Sequence, residues 1–208
     1  MGAAEVHLRA ADPVLGALIE RLEGTVETIE ERRGRRPDDL YAGLVRTIVG
    51  QQLSTRAAQS IWLRVLGYFD GELPTPAMIL ATDPEELRAA GGLSRAKTTY
   101  LRSLAEHVQS GELELERLEA LDDETVIGEL VAVKGLGEWS AHMFLMFQLG
   151  RPDVLAPGDL GVRKGIQIVY GLEELPSPRE VIALAEAWRP HRTTACMYLW
   201  AAIDAKPA

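Results

Sequence analysis

Hydrophobic residues recur along most of this chain at intervals of three and four positions, and no run alternates as a half-buried strand would. The pattern predicts helices over residues 12–29, 40–49, 55–66, 95–108, 123–131, 138–149, 159–169 and 191–205. Two more helix starts are marked by a capping residue followed by proline, Asp83-Pro84 and Ser177-Pro178. We find no internal repeat and no interdomain linker. The sequence therefore predicts an all-α fold.

The composition limits the class of protein. With 208 residues, 47% of them hydrophobic, the chain can form one sizeable core or two small lobes that share a cleft. Cys196 is the only cysteine, which excludes an internal disulfide, a four-cysteine zinc site and a cysteine-ligated iron–sulfur cluster. It lies in an apolar run, which indicates a buried core residue.

Other features bear on metal sites and localisation. Glu138 and His142 have i, i+4 spacing on a predicted helix, but no third ligand accompanies them, so we expect no metal centre among the histidines. The N-terminus lacks a secretion signal, and no stretch reaches the roughly 18 apolar residues of a membrane span. We expect a cytoplasmic protein with no membrane partner.

Residues 131–147, VAVKGLGEWSAHMFLMF, form the most informative stretch. Gly135 and Gly137 flank Leu136 in a turn that we expect to be too tight for side chains, since glycine tolerates positive φ and close approach to the main chain. The apolar run that follows predicts a mostly buried helix, whose N-terminal amides and dipole favour an anion such as phosphate. An ordinary corner between two helices explains the glycine pair equally well.

Asp159, in LAPGDLGVRKG, follows Gly137 by 22 positions. Taken alone, a glycine and an aspartate before a helical run are typical of an N-cap. Asp159 can cap this helix and also have a functional role through its carboxylate.

The net charge of −9 argues against nucleic acid as a partner, because non-specific DNA affinity comes mostly from lysine and arginine. An acidic protein would need backbone amides and a local basic face, and its binding should depend only weakly on salt. The segment RRGRRP, residues 32–37, offers four arginines for such a face, from Arg32 to Arg36. A solvated basic loop is the alternative.

Two further segments complete a set of four motifs: IVGQQLSTRAA at 48–58 and WRPHRTTACMYLW at 188–200. Together the motifs resemble those of the helix-hairpin-helix DNA glycosylase superfamily, and within it the 3-methyladenine DNA glycosylase II (AlkA) type. The resemblance implies that residues 1–208 form one glycosylase unit of two helical lobes with a cleft between them. It implies the compact form, without the N-terminal β-rich domain of larger members, and a monomer acting on double-stranded DNA that contains alkylated bases.

The resemblance also assigns DNA-binding roles. Gly135, Leu136 and Gly137 fall on the turn that binds a DNA phosphate through main-chain amides. Gln52, with Leu53 beside it, falls on the residue that wedges into the duplex where the damaged base leaves. Without the resemblance, Gln51-Gln52 is simply a polar loop between two helices.

The same hairpin often holds a monovalent cation in this family. The resemblance therefore implies Na⁺ or K⁺ on the main-chain carbonyls of Val131, Val133 and Leu136. No other cofactor is expected, since the iron–sulfur loop of the endonuclease III and adenine glycosylase branches is absent.

Asp159 falls on the catalytic carboxylate of the family, which would stabilise an oxocarbenium-like sugar. Trp139 and Trp200 match its base-pocket tryptophans, whose faces attract cationic bases; core packing is the alternative for each. Met143 stands where larger members carry an aromatic pocket residue. Its softer side chain leaves the range of lesions open.

Bifunctional members carry a Schiff-base lysine at the position of Trp139, and Lys134 lies too far before it to substitute. The resemblance thus predicts a monofunctional DNA glycosylase of base excision repair. It would flip out alkylated bases such as 3-methyladenine and 7-methylguanine, hydrolyse the N-glycosidic bond and leave an abasic site. A non-catalytic damaged-DNA-binding protein with the same fold and an unrelated helical interaction domain are the alternatives.

Overall fold

A computed structural model of the chain describes residues 2–34 and 39–205. Over these residues the chain forms α-helices and short 3₁₀ helices and no β-strand, which confirms the predicted all-α fold. Within the same residues, none of the helices combines the length and the hydropathy needed to cross a membrane. The chain divides into two compact units: a terminal unit, Met1–Arg35 with Gly150–Ala208, and a central unit, Arg36–Leu149.

The described α-helices are, in chain order, α1 (Ala3–Ala11), α2 (Pro13–Arg21), α3 (Ile29–Arg33), α4 (Leu40–Gly50), α5 (Thr55–Tyr68), α6 (Pro76–Ala81), α7 (Pro84–Gly91), α8 (Arg95–Ser110), α9 (Asp123–Ala132), α10 (Glu138–Phe147), α11 (Leu160–Tyr170), α12 (Pro178–Ala185) and α13 (Arg192–Asp204). Leu115–Ala120 and Glu186–Trp188 form 3₁₀ helices.

In the central unit, side-chain caps start every described α-helix except α10. The caps are Asp39, Ser54, Thr75, Asp83, Ser94 and Asp122. Each side-chain oxygen accepts an N–H from the first turn, which satisfies donors that lack a partner within the helix. Helix α10 is buried as predicted, with Phe144, Leu145 and Met146 at most 1% exposed.

In the terminal unit, α11 and α13 pack closely against each other. A Cβ atom on Gly165 would lie 2.5 Å from the main-chain oxygen of Leu199, so only glycine permits this approach. Val162 and Ile166 of α11 are fully buried beside it. This contact sets the position of the C-terminal helix.

Asp12 is the buried polar centre of the terminal unit, with 7% of its surface exposed. One carboxylate oxygen caps α2 by accepting the N–H groups of Val14 and Leu15. The other accepts the indole N–H of Trp188, at 2.9 Å, and the hydroxyl of Tyr170. Burial alone would raise the pKa of Asp12, but these donated hydrogen bonds outweigh it and hold the pKa below its ordinary value.

The prediction of one helix over residues 12–29 is wrong. Helix α2 ends at Arg21, and Gly24 adopts a left-handed φ of 73°, which ends the helical path. A separate helix, α3, then starts at a capping box formed by Thr28 and Glu31. Helix α1 was not predicted.

Asp12→Ala should lower the free energy of unfolding by about 3 kcal/mol, because it removes a helix cap and leaves one buried and one partly buried donor without an acceptor. Those donors are the Trp188 N–H and the Tyr170 O–H. Denaturant-induced unfolding of the variant and the parent measures the loss.

Asp83→Ala is the matched control. Asp83 also caps a helix that begins with proline and also accepts two main-chain N–H groups, but it is exposed. Its removal should cost only about 1 kcal/mol. Equal losses in the two variants would show that the buried donors contribute nothing beyond the cap.

Candidate functional site

The hairpin turn, residues 133–137, joins α9 to α10 in the central unit. Gly135 has φ of 96°, and a Cβ atom there would lie 2.1 Å from Cγ of Tyr100 on α8. Both the backbone and the packing therefore require glycine at this position. Sequence reasoning missed Tyr100, which supports the turn from α8.

The predicted reason for Gly137 is wrong. Its φ of −112° and ψ of 176° are extended backbone that any residue adopts, and no described atom lies within 4 Å of a Cβ built there. Gly137 is the N-cap of α10, so the N-cap position of this helix carries no side chain that could cap it. A side chain at position 137 would thus meet no steric obstacle among the described residues.

Of the three carbonyl groups proposed for a monovalent cation, those of Val133 and Leu136 lie on the hairpin turn and that of Val131 lies near the end of α9. The Val133 carbonyl accepts the N–H of Leu136 at 3.0 Å, which uses one of its two lone pairs. Carbonyl oxygens are suitable ligands for a hard cation, so the donor set fits. A cation on Val131, Val133 and Leu136 stays a prediction. The described residues contain no group of three or more His, Cys, Asp or Glu that could hold a metal ion.

Residues 51–54 connect α4 to α5, and we call them the wedge loop after the role predicted from the sequence. Gln52 is exposed and has φ of 56°, in the left-handed region that non-glycine residues rarely adopt. Leu53 is 38% exposed. The wedge role of Gln52 and Leu53 stays a prediction.

Asp159 lies at the N-terminus of α11 in the terminal unit, half-buried. Its Oδ1 accepts the main-chain N–H of Val162 at 2.7 Å, so the predicted helix cap is confirmed. The same oxygen accepts the indole N–H of Trp200 on α13 at 2.8 Å. Two donors from two helices therefore fix the orientation of this carboxylate.

Gly161 makes that contact possible. A Cβ atom on Gly161 would lie 2.8 Å from Cδ1 of Trp200 and 2.9 Å from Oδ1 of Asp159. Any other residue would push the indole and the carboxylate apart. Sequence reasoning missed this glycine because its partner lies 39 residues away (200 − 161).

The segment that leads to Asp159 is also held by α13. The Thr193 hydroxyl donates to the Arg151 carbonyl at 2.7 Å and accepts the N–H of Val154 at 3.0 Å. Arg192 binds both carboxylate oxygens of Asp153, at 2.8 and 3.0 Å. One helix thus positions the chain before Asp159 and donates to its carboxylate.

The four tryptophans divide into two groups. Trp62 and Trp188 are buried, at 4% and 0% exposure, and belong to the core. Trp139 is 41% exposed and Trp200 is half-buried, so core packing does not describe the two tryptophans assigned to the base pocket. The guanidinium carbon of Arg32 lies 6.0 Å from the Trp200 ring centroid, which places a cation within range of this ring face.

The remaining candidates are located as follows. Met143 is 6% exposed on α10, in the same unit as Trp139. Cys196 is fully buried, and burial raises the pKa of its thiol to about 12, which confirms its role as a core residue. In the arginine cluster, Arg32 and Arg33 end α3, whereas Arg35 and Arg36 lie outside the described residues.

The glycine hairpin between two helices and the helix-capping Asp159 agree with the predicted class of DNA repair proteins, and comparison with known proteins supports it. The model of the HhH-GPD superfamily of base excision DNA repair proteins matches residues 45–190. This chain belongs to that superfamily. The predicted family and the predicted role in base excision repair are confirmed, which excludes an unrelated helical interaction domain.

Individual relatives are similar over nearly the whole chain. DNA-3-methyladenine glycosylase 1 of Schizosaccharomyces pombe is 35% identical over 199 residues, covering 95% of this chain and 85% of the relative. The solved S. pombe 3-methyladenine DNA glycosylase in complex with abasic DNA has a TM-score of 0.86 at 33% identity, covering 96% of this chain and 95% of that one. A DNA-3-methyladenine glycosidase from Bacillus halodurans has a TM-score of 0.80 at 39% identity, with coverages of 97% and 89%.

Gly135→Ala should lower the free energy of unfolding by about 2 kcal/mol or more, because alanine is strained at positive φ and its methyl group would overlap the Tyr100 ring. Gly137→Ala should change it by less than about 0.5 kcal/mol, since its backbone is unstrained and the space is open. Thermal unfolding of both variants tests the difference. Similar losses would contradict the assignment of the structural glycine to position 135 alone.

Proposed function

We propose that this protein is a monofunctional DNA glycosylase that flips out alkylated bases and hydrolyses their N-glycosidic bond, leaving an abasic site. The observation that carries the proposal is the Asp159 carboxylate, held by the N–H groups of Val162 and Trp200. A negative charge fixed in this way requires no reorganisation during the reaction, and such preorganised charges are often the largest catalytic contribution.

The reaction places positive charge on the deoxyribose. As the bond between C1′ and the base nitrogen breaks, its electron pair leaves with the base and an oxocarbenium-like sugar forms. Asp159 stabilises that charge. A water molecule adds to C1′, and its proton passes through the Asp159 carboxylate to solvent.

The chemistry of the leaving group favours alkylated bases as substrates. In 3-methyladenine and 7-methylguanine the base is cationic, so it leaves as a neutral molecule and needs no strong general acid. The face of Trp200 lies within range of the Arg32 guanidinium in this structure, so this ring can accept a cationic group. The names of the glycosylase relatives support the same class of substrate.

Main-chain groups supply much of the grip on DNA in this proposal. The protein has a net charge of −9, which opposes binding through a broad basic surface. The N-terminal amides of α10, behind the open Gly137 turn, suit a single phosphate. Gln52 and Leu53 on the wedge loop would fill the gap that the extruded base leaves.

Strand cleavage is not part of the proposed activity. Trp139 occupies the position at which bifunctional members of the superfamily carry their Schiff-base lysine, and an indole cannot form an imine with the sugar. The nearest preceding lysine, Lys134, lies on the other side of the hairpin glycines. The product should therefore be an intact strand that breaks only on treatment with alkali.

Asp159→Asn should slow release of the free base from methylated duplex DNA by at least about a hundredfold, because the amide keeps the helix cap but removes the charge. Affinity for an abasic-site duplex should be unchanged or tighter. Single-turnover base release, read alongside the integrity of the strand, measures both the rate and the product.

Asp83→Asn provides the control, since it makes the same chemical change at an exposed cap. Near-parental release by Asp159→Asn would move the catalytic role to another residue. A parent that binds abasic DNA and releases no base would identify the non-catalytic alternative. A covalent adduct trapped by borohydride would contradict the monofunctional assignment.

A further inference from the structure

Gln51 connects two parts of the central unit that are far apart in sequence. It is the first residue of the wedge loop, directly after α4. Its side-chain nitrogen donates to the carbonyl of Gly135, 84 residues away, at 2.8 Å. It also lies 3.1 Å from the hydroxyl of Ser140, in the first turn of α10. One amide group thus spans the hairpin turn and the start of the helix behind it.

The start of the wedge loop is fixed by main-chain contacts as well. The N–H of Gln51 donates to the Ile48 carbonyl, and the N–H of Leu53 donates to Gly50. Lys97 on α8 donates to the Val49 carbonyl at 2.8 Å. The end of α4 is therefore held independently of the Gln51 side chain.

The hairpin turn is likewise supported without Gln51. The Tyr100 ring lies against Gly135, so close that a Cβ atom there would overlap it. The N–H of Leu136 donates to Val133 within the turn. The Gln51 amide adds a direct side-chain hydrogen bond from the wedge loop to the hairpin turn.

We propose that Gln51 is a positioning residue that sets the spacing between the phosphate-binding hairpin and the wedge residue Gln52. This inference rests on the proposed function, because it concerns how the two DNA-contacting parts act together. With the link in place, a phosphate held on the α10 amides fixes where Gln52 meets the base stack. Without the Gln51 hydrogen bond, the hairpin turn and the wedge loop each keep their local structure, but the position of Gln52 relative to the bound DNA phosphate is no longer fixed.

The proposal separates extrusion of the base from simple DNA binding. Extrusion needs the wedge at the correct position while the duplex opens. An abasic-site duplex has no base to extrude, so its binding depends mainly on the hairpin. Loss of the link should therefore slow base release more than it weakens binding to abasic DNA.

The test compares Gln51→Leu and Gln51→Glu with the parent. Leucine removes the donor, and glutamate keeps the shape but places a carboxylate against the Gly135 carbonyl. Gln167→Glu is the matched control, since the Gln167 amide donates to the Glu173 carbonyl in the terminal unit. Thermal unfolding measurements identify the variants that fold, and only these variants are compared further.

Three measurements follow on the folded variants: single-turnover base release, affinity for an abasic-site duplex, and fluorescence of 2-aminopurine placed next to the lesion. This base fluoresces when it is unstacked. Both Gln51 variants should release base at least about tenfold more slowly and show a smaller fluorescence rise, with abasic affinity within about threefold of the parent. Gln167→Glu should match the parent.

A double-mutant cycle isolates the coupling. If Gln51 acts through the wedge, Gln51→Leu in a Gln52→Ala background should slow release by less than about twofold further. Full additivity of the two substitutions would overturn the proposal. Folded Gln51 variants that release base and fluoresce like the parent would also overturn it. Equal losses in the release rate and in the affinity for abasic DNA would overturn it too, because they would show that Gln51 supports only the hairpin. If the parent releases no base, the proposed function has failed, and the fluorescence measurement still decides the role of Gln51.

Discussion

The close approach of α11 and α13 is the constraint on which the candidate active site depends. Gly165 lets the two helices meet at the Leu199 carbonyl, and Gly161 lets the indole of Trp200 reach Asp159. The result is a carboxylate that accepts N–H groups from both helices through one oxygen. Because α13 also holds the segment before Asp159 through Thr193 and Arg192, one helix determines both where this charge lies and how it is oriented.

The central unit solves a different problem, which is how an acidic chain presents a surface to DNA. Glycine at position 135 allows Tyr100 to support the turn, and a Cβ atom at position 137 would meet no described atom within 4 Å. Main-chain amides carry no net charge, so they bind a phosphate without changing the acidic balance of the protein. The strained Gln52 stands on the neighbouring loop, and the Gln51 amide connects that loop to the turn.

Local patterns predicted much of this architecture. Capping residues such as Asp83 and Ser177 placed helix starts correctly, and the glycine pair with its apolar run identified the hairpin and a buried α10. Around residue 24 the prediction failed, because a left-handed glycine ended a helix that the hydrophobic spacing alone would continue. At Gly137 the prediction failed because we assigned both glycines of the motif to a turn too tight for side chains, and only Gly135 has that role.

Long-range partners could not be predicted from the sequence. The contact between Gln51 and Gly135 and the contact between Trp200 and Asp159 join residues 84 and 41 positions apart, and no local spacing encodes them. The same limit applies to Tyr100 and Gly161, whose roles exist only once helices pack. The sequence positions of the tryptophans do not show which of them are buried. In the structure Trp62 and Trp188 are buried, whereas Trp139 is not.

The most direct test of the central claim is the single-turnover rate of base release by Trp200→Phe on methylated duplex DNA. Phenylalanine keeps an aromatic face but cannot donate a hydrogen bond to Asp159. A hydrogen bond to a charged group contributes about 1.5–3 kcal/mol, so release should slow by about tenfold or more while affinity for abasic DNA stays close to that of the parent. Release at the parental rate by the folded variant would contradict the claim that the indole N–H holds the catalytic carboxylate in place.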